Sequence, residues 1–133
     1  MNTLGMIAIV VDDYDSAISH YVNDLSFSLI EDTTLSPEKR WVVVAASENG
    51  SKILLAKAST EAQRVAIGNS TGGRVGFFLY TTEFKQTFQK FKSNGIEFME
   101  EPRQEAYGQV VVFRDKYGNK WDLIEQTTNT KSS

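Results

Sequence analysis

The stretch from Met6 to Val11 is an unbroken apolar run rich in β-branched residues, and it predicts a buried strand. Asp12-Asp13-Tyr14-Asp15 follows as a helix start, with acidic side chains in the first turn, where the helix dipole favours them. Ala17, Ile18, Tyr21, Val22 and Leu25 then recur at helical spacing and form one apolar face. Phe27–Glu31, Arg40–Ala46 and Lys52–Ala56 read as three strands, with Asn49-Gly50 as a hairpin signal between the last two. Ser59–Gly73, which holds Gly68, Gly72 and Gly73, reads as a less regular connector. The order then restarts. Arg74–Thr81 is a strand, and Glu83–Asn94 a helix with Phe84, Phe88 and Phe91 on one face. Ile96–Met99, Val110–Arg114 and Lys120–Glu125 are strands, the last two joined by a turn at Tyr117-Gly118-Asn119.

Strand, helix and three strands therefore occur twice, and the landmarks keep register. Asp13 and Glu83 open the two helices 70 residues apart (83 − 13), and Tyr21 and Phe91 close them at the same offset. The glycines of the last turns, Gly50 and Gly118, are offset by 68 (118 − 50). The expected organisation is α+β: one domain over 1–133, with a first βαβββ module at about 4–58, a connector at 59–73, a second module at about 74–126, and a polar tail at 127–133.

Alternation divides each strand into two faces. Ile7, Ile9 and Val11, with Val75, Phe77 and Leu79, Ile53 and Leu55, and Trp121 and Leu123, form a large apolar set assigned to the helices and core. The opposite set is Met6, Ala8 and Val10; Lys52, Leu54 and Ala56; Gly76, Phe78 and Tyr80; Lys120, Asp122 and Ile124. Its mixture of small, aromatic and charged residues suits the lining of a pocket, the alternative being a face covered by another chain or packed as a second core.

Composition narrows the chemistry. With 133 residues, 41% of them hydrophobic and 23% charged, the chain has the make-up of one soluble domain with a substantial core. A net charge of −3 offers no basic face for nucleic acid and no polybasic patch for a membrane. The absence of cysteine removes disulfides, thiolate metal sites and a cysteine nucleophile, and fits a cytoplasmic setting. No signal peptide or run of transmembrane length is present.

The stretches VVDDYDSAISHYVNDLSF (10–27), GGRVGFFLYTTEF (72–84), SNGIEF (93–98) and VVVFRDKYGNKWDLIE (110–125) together resemble the vicinal oxygen chelate superfamily, which includes glyoxalases, bleomycin-resistance proteins and extradiol dioxygenases. Ser26 departs from the family's usual glycine after the first helix. The resemblance implies an eight-stranded incomplete barrel, curved around a cavity, with helices on its outer face. It also implies homodimerisation. Metal ligands in that superfamily lie on the first and fourth strands of each module, positions that fall here on Met6, Leu54, Gly76 and Asp122. Only Asp122 carries a suitable donor, and one carboxylate cannot supply the three protein ligands a catalytic metal normally takes. His20, the single histidine, sits on the first helix and is expected to pack or meet solvent. No metal or other cofactor is therefore expected, a divalent metal being the alternative.

Asp122 is open to a structural reading, paired with Lys52, Lys120 or an arginine, and to a functional one, as ligand acceptor or metal-free general base. Trp41, Phe78, Tyr80, Arg103 and Tyr107 are further pocket candidates, with Arg103 and Tyr107 on the loop Pro102–Gly108. Aromatic faces with one cation would suit a flat or anionic small molecule. The favoured function is metal-free binding of a small molecule, such as sequestration of an antibiotic. An enzyme using Asp122 as base, or metal ligands not recognised in the sequence, is the second reading, and a partner-binding module the third. Gly72-Gly73 precedes a strand rather than a helix, so it is no phosphate loop.

Overall fold

The structure, a computed structural model, describes residues 1–127, so all of the expected polar tail but Thr127 lies outside the described residues. The chain divides into two compact units between Ser70 and Thr71, inside the expected connector. Among the described residues no helix is long and apolar enough to cross a membrane.

In the first unit, β1 (Met6–Val11) leads into α1 (Tyr14–Ser19). Asp13 caps that helix, its carboxylate accepting the Ser16 N–H at 2.9 Å. The helix does not stay α-helical to Leu25. It relaxes into a π-helical turn over His20–Asp24, closed by the Leu25 N–H on the His20 carbonyl at 3.2 Å. The Phe27 N–H then reaches back to the Tyr21 carbonyl at 2.8 Å, with Ser26 between them at φ 62°. The turn thus absorbs serine only by holding it in the left-handed region. That conformation costs a non-glycine residue about 1–2 kcal/mol, partly offset by the greater unfolded-state entropy of glycine. Ser26→Gly is accordingly expected to raise stability by about 0.5–1 kcal/mol in urea denaturation, and a loss would contradict this account.

β2 (Ser28–Thr34), β3 (Arg40–Ala45) and β4 (Lys52–Lys57) complete a sheet of order β1-β4-β3-β2, with β1 parallel to β4 and the other pairs antiparallel. β2 runs three residues beyond its expected end because its pairing with β3 continues past a bulge between Leu29 and Glu31. The β3–β4 hairpin forms as expected, but Asn49-Gly50 lies within the loop between Ala45 and Lys52 rather than forming a two-residue turn. The supposed connector contains a helix, α2 (Glu61–Ala66), capped by Thr60. It buries no residue, so no apolar periodicity announced it.

In the second unit, β5 (Phe77–Thr81) starts three residues later than expected, after Gly72 and Gly73 at φ 69° and 95°. α3 (Phe84–Ser93), β6 (Glu97–Phe98), β7 (Arg103–Glu105), β8 (Gly108–Arg114) and β9 (Lys120–Glu125) follow. Strand order is β5-β9-β8-β6, with β7 also on β8, so the described residues hold nine strands instead of the expected eight. The ninth comes from a divided edge. Pro102 has no N–H to give a ladder, and beside it the Glu100 carboxylate takes the Val112 N–H at 3.0 Å. The chain rejoins β8 as β7, which corrects the expectation of a loop over Pro102–Gly108.

The internal repeat holds in the pairing. Ala8 lies beside Leu54 on the parallel β1–β4 pair, and Phe78 beside Asp122 on β5–β9, offsets of 70 and 68 (78 − 8 and 122 − 54). Each unit buries its own apolar set: Val11, Tyr21, Val42, Val44 and Leu55 in the first; Val110, Phe113, Trp121 and Leu123 in the second. α1 packs on β3 and β4, and α3 on β9. Ile7 is the exception to the assigned core face, being 60% exposed at the open end of an edge strand.

Candidate functional site

Burial of Trp121 and Leu123 turns Asp122 to the opposite face of β9. The register sets Phe78 on one side of it and Val112 on the other. Here a cleft of about 530 Å³ is lined by Phe78, Tyr80, Tyr107, Asp122, Ile124, Glu125 and Gln126. Phe78 and Tyr80, two apart on β5, are 52% and 59% exposed, and Tyr107 in the β7–β8 turn is 51% exposed. Burial pushes the Asp122 carboxyl above its usual range; the Arg103 charge opposes that shift and the Glu100 charge adds to it. Among the described residues of the second unit no hydrogen bond or ion pair reaches this carboxylate, so the structural reading in which Lys120 or an arginine of this unit pairs with it is not seen as a contact.

Arg103 is engaged elsewhere. Its Nε donates to both Glu100 oxygens at 3.0 Å, and Nη1 donates to Glu105 at 2.6 Å. These bonds, to Glu100 first, raise its pKa and hold its fork along the strand edge. It does not line the cleft as expected. Glu125 is fixed by accepting the Gln109 N–H at 2.9 Å. Gly108 makes room for it: φ there is 129°, and a Cβ would lie 3.1 Å from the Glu125 oxygen.

The first unit has its own cleft, about 510 Å³, to which Val10, Tyr14, Arg40, Trp41, Leu54 and Lys57 contribute. Arg40 lies over the Tyr14 ring at 5.2 Å and is tied to Asp15 at 2.9 Å and Asp32 at 2.7 Å. Among the expected pocket residues, Phe78, Tyr80, Tyr107 and Asp122 thus come together, and Trp41 meets Leu54. Met6, Ala8 and Gly76 line neither cleft. Gly76 has a packing reason to be glycine, since a Cβ would collide with the Thr71 side chain. Glu125 and the Glu100–Arg103–Glu105 group were not foreseen. Glu125 shares strand parity with the buried Trp121 and Leu123, and the two glutamates signal nothing without the β7 hairpin.

The positions expected for a metal do not fit one. Met6, Leu54 and Gly76 offer no hard donor, and among the described residues no group of three or more His, Cys, Asp or Glu side chains could hold an ion. His20 is buried, edge-on to Tyr21 at 5.3 Å, with Nδ1 2.9 Å from an Asp24 oxygen. It is a packed residue of the π-helical turn.

A family model described as "Glyoxalase/Bleomycin resistance protein/Dioxygenase superfamily" matches residues 3–123. An uncharacterized protein of Shewanella frigidimarina is 50% identical over 121 residues, 90% of each chain. Among solved structures, UcmS2 matches with a TM-score of 0.80 at 27% identity, covering 93% of this chain and 98% of its own. TnmS3, an antibiotic binding protein from Streptomyces sp. CB03234, shares the fold with a TM-score of 0.74 at 20% identity, covering 96% and 98%. With its repeated module and a family match over nearly its whole length, the chain belongs to the glyoxalase/bleomycin resistance protein/dioxygenase superfamily.

Proposed function

We propose that this chain binds a small organic molecule without a metal, sequestering it on the aromatic face of the second unit. The observation that carries the reading is the pair of exposed rings, Phe78 and Tyr80, beside the half-buried, unbonded carboxylate of Asp122. Water-exposed aromatic surface is a standing gain for any flat ligand that covers it, at roughly 25 cal/mol per Å². The antibiotic-binding role of TnmS3 shows that this fold can serve such a purpose. The reading includes a homodimer, by analogy with the superfamily; sedimentation as a monomer would remove that part.

The test is calorimetric titration with a panel of polycyclic antibiotics and simple aromatic compounds, alongside elemental analysis after dialysis against zinc, nickel, manganese and ferrous iron. One site per chain is expected for at least one compound, weakened about tenfold or more in Tyr80→Ala, with no metal retained stoichiometrically. Absence of any binder would sink the binding reading, and about one metal per chain would sink the metal-free one. Asp122 favours a second reading, proton abstraction from the bound molecule, because its carboxylate lines the cleft beside the exposed rings and burial makes it a stronger base than a free one. Turnover of a bound compound, lost in Asp122→Asn, would establish it.

A further inference from the structure

We infer that the cleft of the second unit selects organic cations, a flat ring system carrying a fixed positive charge, over neutral or anionic ligands of the same shape. This rests on the binding reading above and specifies its ligand class. The charged side chains lining the cleft are both acids, Asp122 and Glu125. Three exposed rings, Phe78, Tyr80 and Tyr107, stand with them. The negative faces of aromatic rings attract a cation most strongly where water is partly excluded, and a carboxylate at the same place adds to that attraction.

Arg103 is the obvious competitor, since its charge acts on Asp122. It is already shared between two carboxylates: both oxygens of Glu100, and Glu105. Glu100 and Glu105 therefore take up that guanidinium, while the acids that line the cleft itself are Asp122 and Glu125. An anionic ligand reaching Arg103 would meet a guanidinium whose charge is already shared between two carboxylates, one of them held at 2.6 Å. A cationic ligand breaks nothing. It meets a carboxylate that has no partner among the described residues and whose desolvation is relieved by an opposite charge. This departs from the expectation from the sequence, in which aromatic faces with one cation would suit a flat or anionic small molecule.

The experiment uses one ring frame in three charge states: 10-methylacridinium, acridine and acridine-9-carboxylate, titrated into the full chain by calorimetry at pH 8 in low and high salt. The cation is expected to bind at least about tenfold more tightly than the carboxylate, with the gap narrowing in high salt. Asp122→Asn should reduce cation affinity severalfold and acridine affinity much less, and Tyr80→Ala should weaken all three. Circular dichroism of each variant separates loss of fold from loss of site. Equal affinities, or preference for the carboxylate, would overturn the cation inference and leave the binding reading standing. Failure of all three to bind would overturn the cation inference; failure of the wider panel as well would remove the binding reading beneath it.

Discussion

Asp115→Ala is expected to lower unfolding stability by about 3–4 kcal/mol, read from urea denaturation midpoints at unchanged slope. Asp115 is 4% exposed in the turn between β8 and β9, and several donors converge on its carboxylate. The Tyr117 and Asn119 N–H groups reach Oδ1 at 3.0 Å, the Asn119 side-chain amide reaches Oδ2 at 2.9 Å, and the Trp121 indole N–H reaches Oδ2 at 3.2 Å. Each such bond to a charged acceptor contributes about 1.5–3 kcal/mol, and removing the acceptor leaves buried donors in an apolar setting. Asp115→Asn should fall between, since its amide nitrogen would face donors. The turn also sets the β8–β9 register that places Asp122 opposite Val112, so its loss should weaken ligand binding too. A loss below about 1 kcal/mol for the alanine variant would show that the cage is not what holds the turn.

Phe113→Ala should destabilise by about 3–5 kcal/mol, the range for emptying a buried aromatic site. Its side chain is fully enclosed. Rings of Phe91, Phe98 and Trp121 stand at 5.5, 6.1 and 5.8 Å from its own, joining α3, β6 and β9 through one residue of β8. Phe78→Ala removes the same atoms from a position 52% exposed and should change stability by less than about 1 kcal/mol. The contrast separates rings that hold the fold from rings free to meet a ligand. Comparable losses in thermal unfolding of the two variants would mean that Phe78 belongs to a core and would remove the main support for the proposed function.

Legibility differed between elements for reasons that can be named. β1, β9 and the limits of α3 within one residue were readable because their apolar residues repeat at the strand or helix period and are buried on one side. α2 was not, because a helix that buries nothing needs no apolar face. β7 was not, because Arg103, Gln104 and Glu105 have no strand pattern; pairing with Val110, Gln109 and Gly108 makes them one. Of the candidate site, Phe78, Tyr80 and Asp122 were recoverable from parity, and Tyr107 from its place on the loop before β8. Met6, Ala8 and Gly76 were on the right face but outside either cleft, because parity gives a direction and not the depth or neighbours of a position.

From the sequence alone came the duplicated βαβββ order, the family, the core side of most strands, and the lack of a hard donor at three of the four metal positions. These follow from local periodicity and side-chain chemistry, which need no partner to be read. Tertiary structure alone decided the fate of the charges. Whether Arg103 faces a ligand or is held by Glu100 and Glu105 depends on a hairpin bringing distant residues within 3 Å. Whether Asp122 is paired depends on what the neighbouring strands put beside it. Electrostatic character falls off over a few ångströms, so it belongs to the assembled surface and not to the chain.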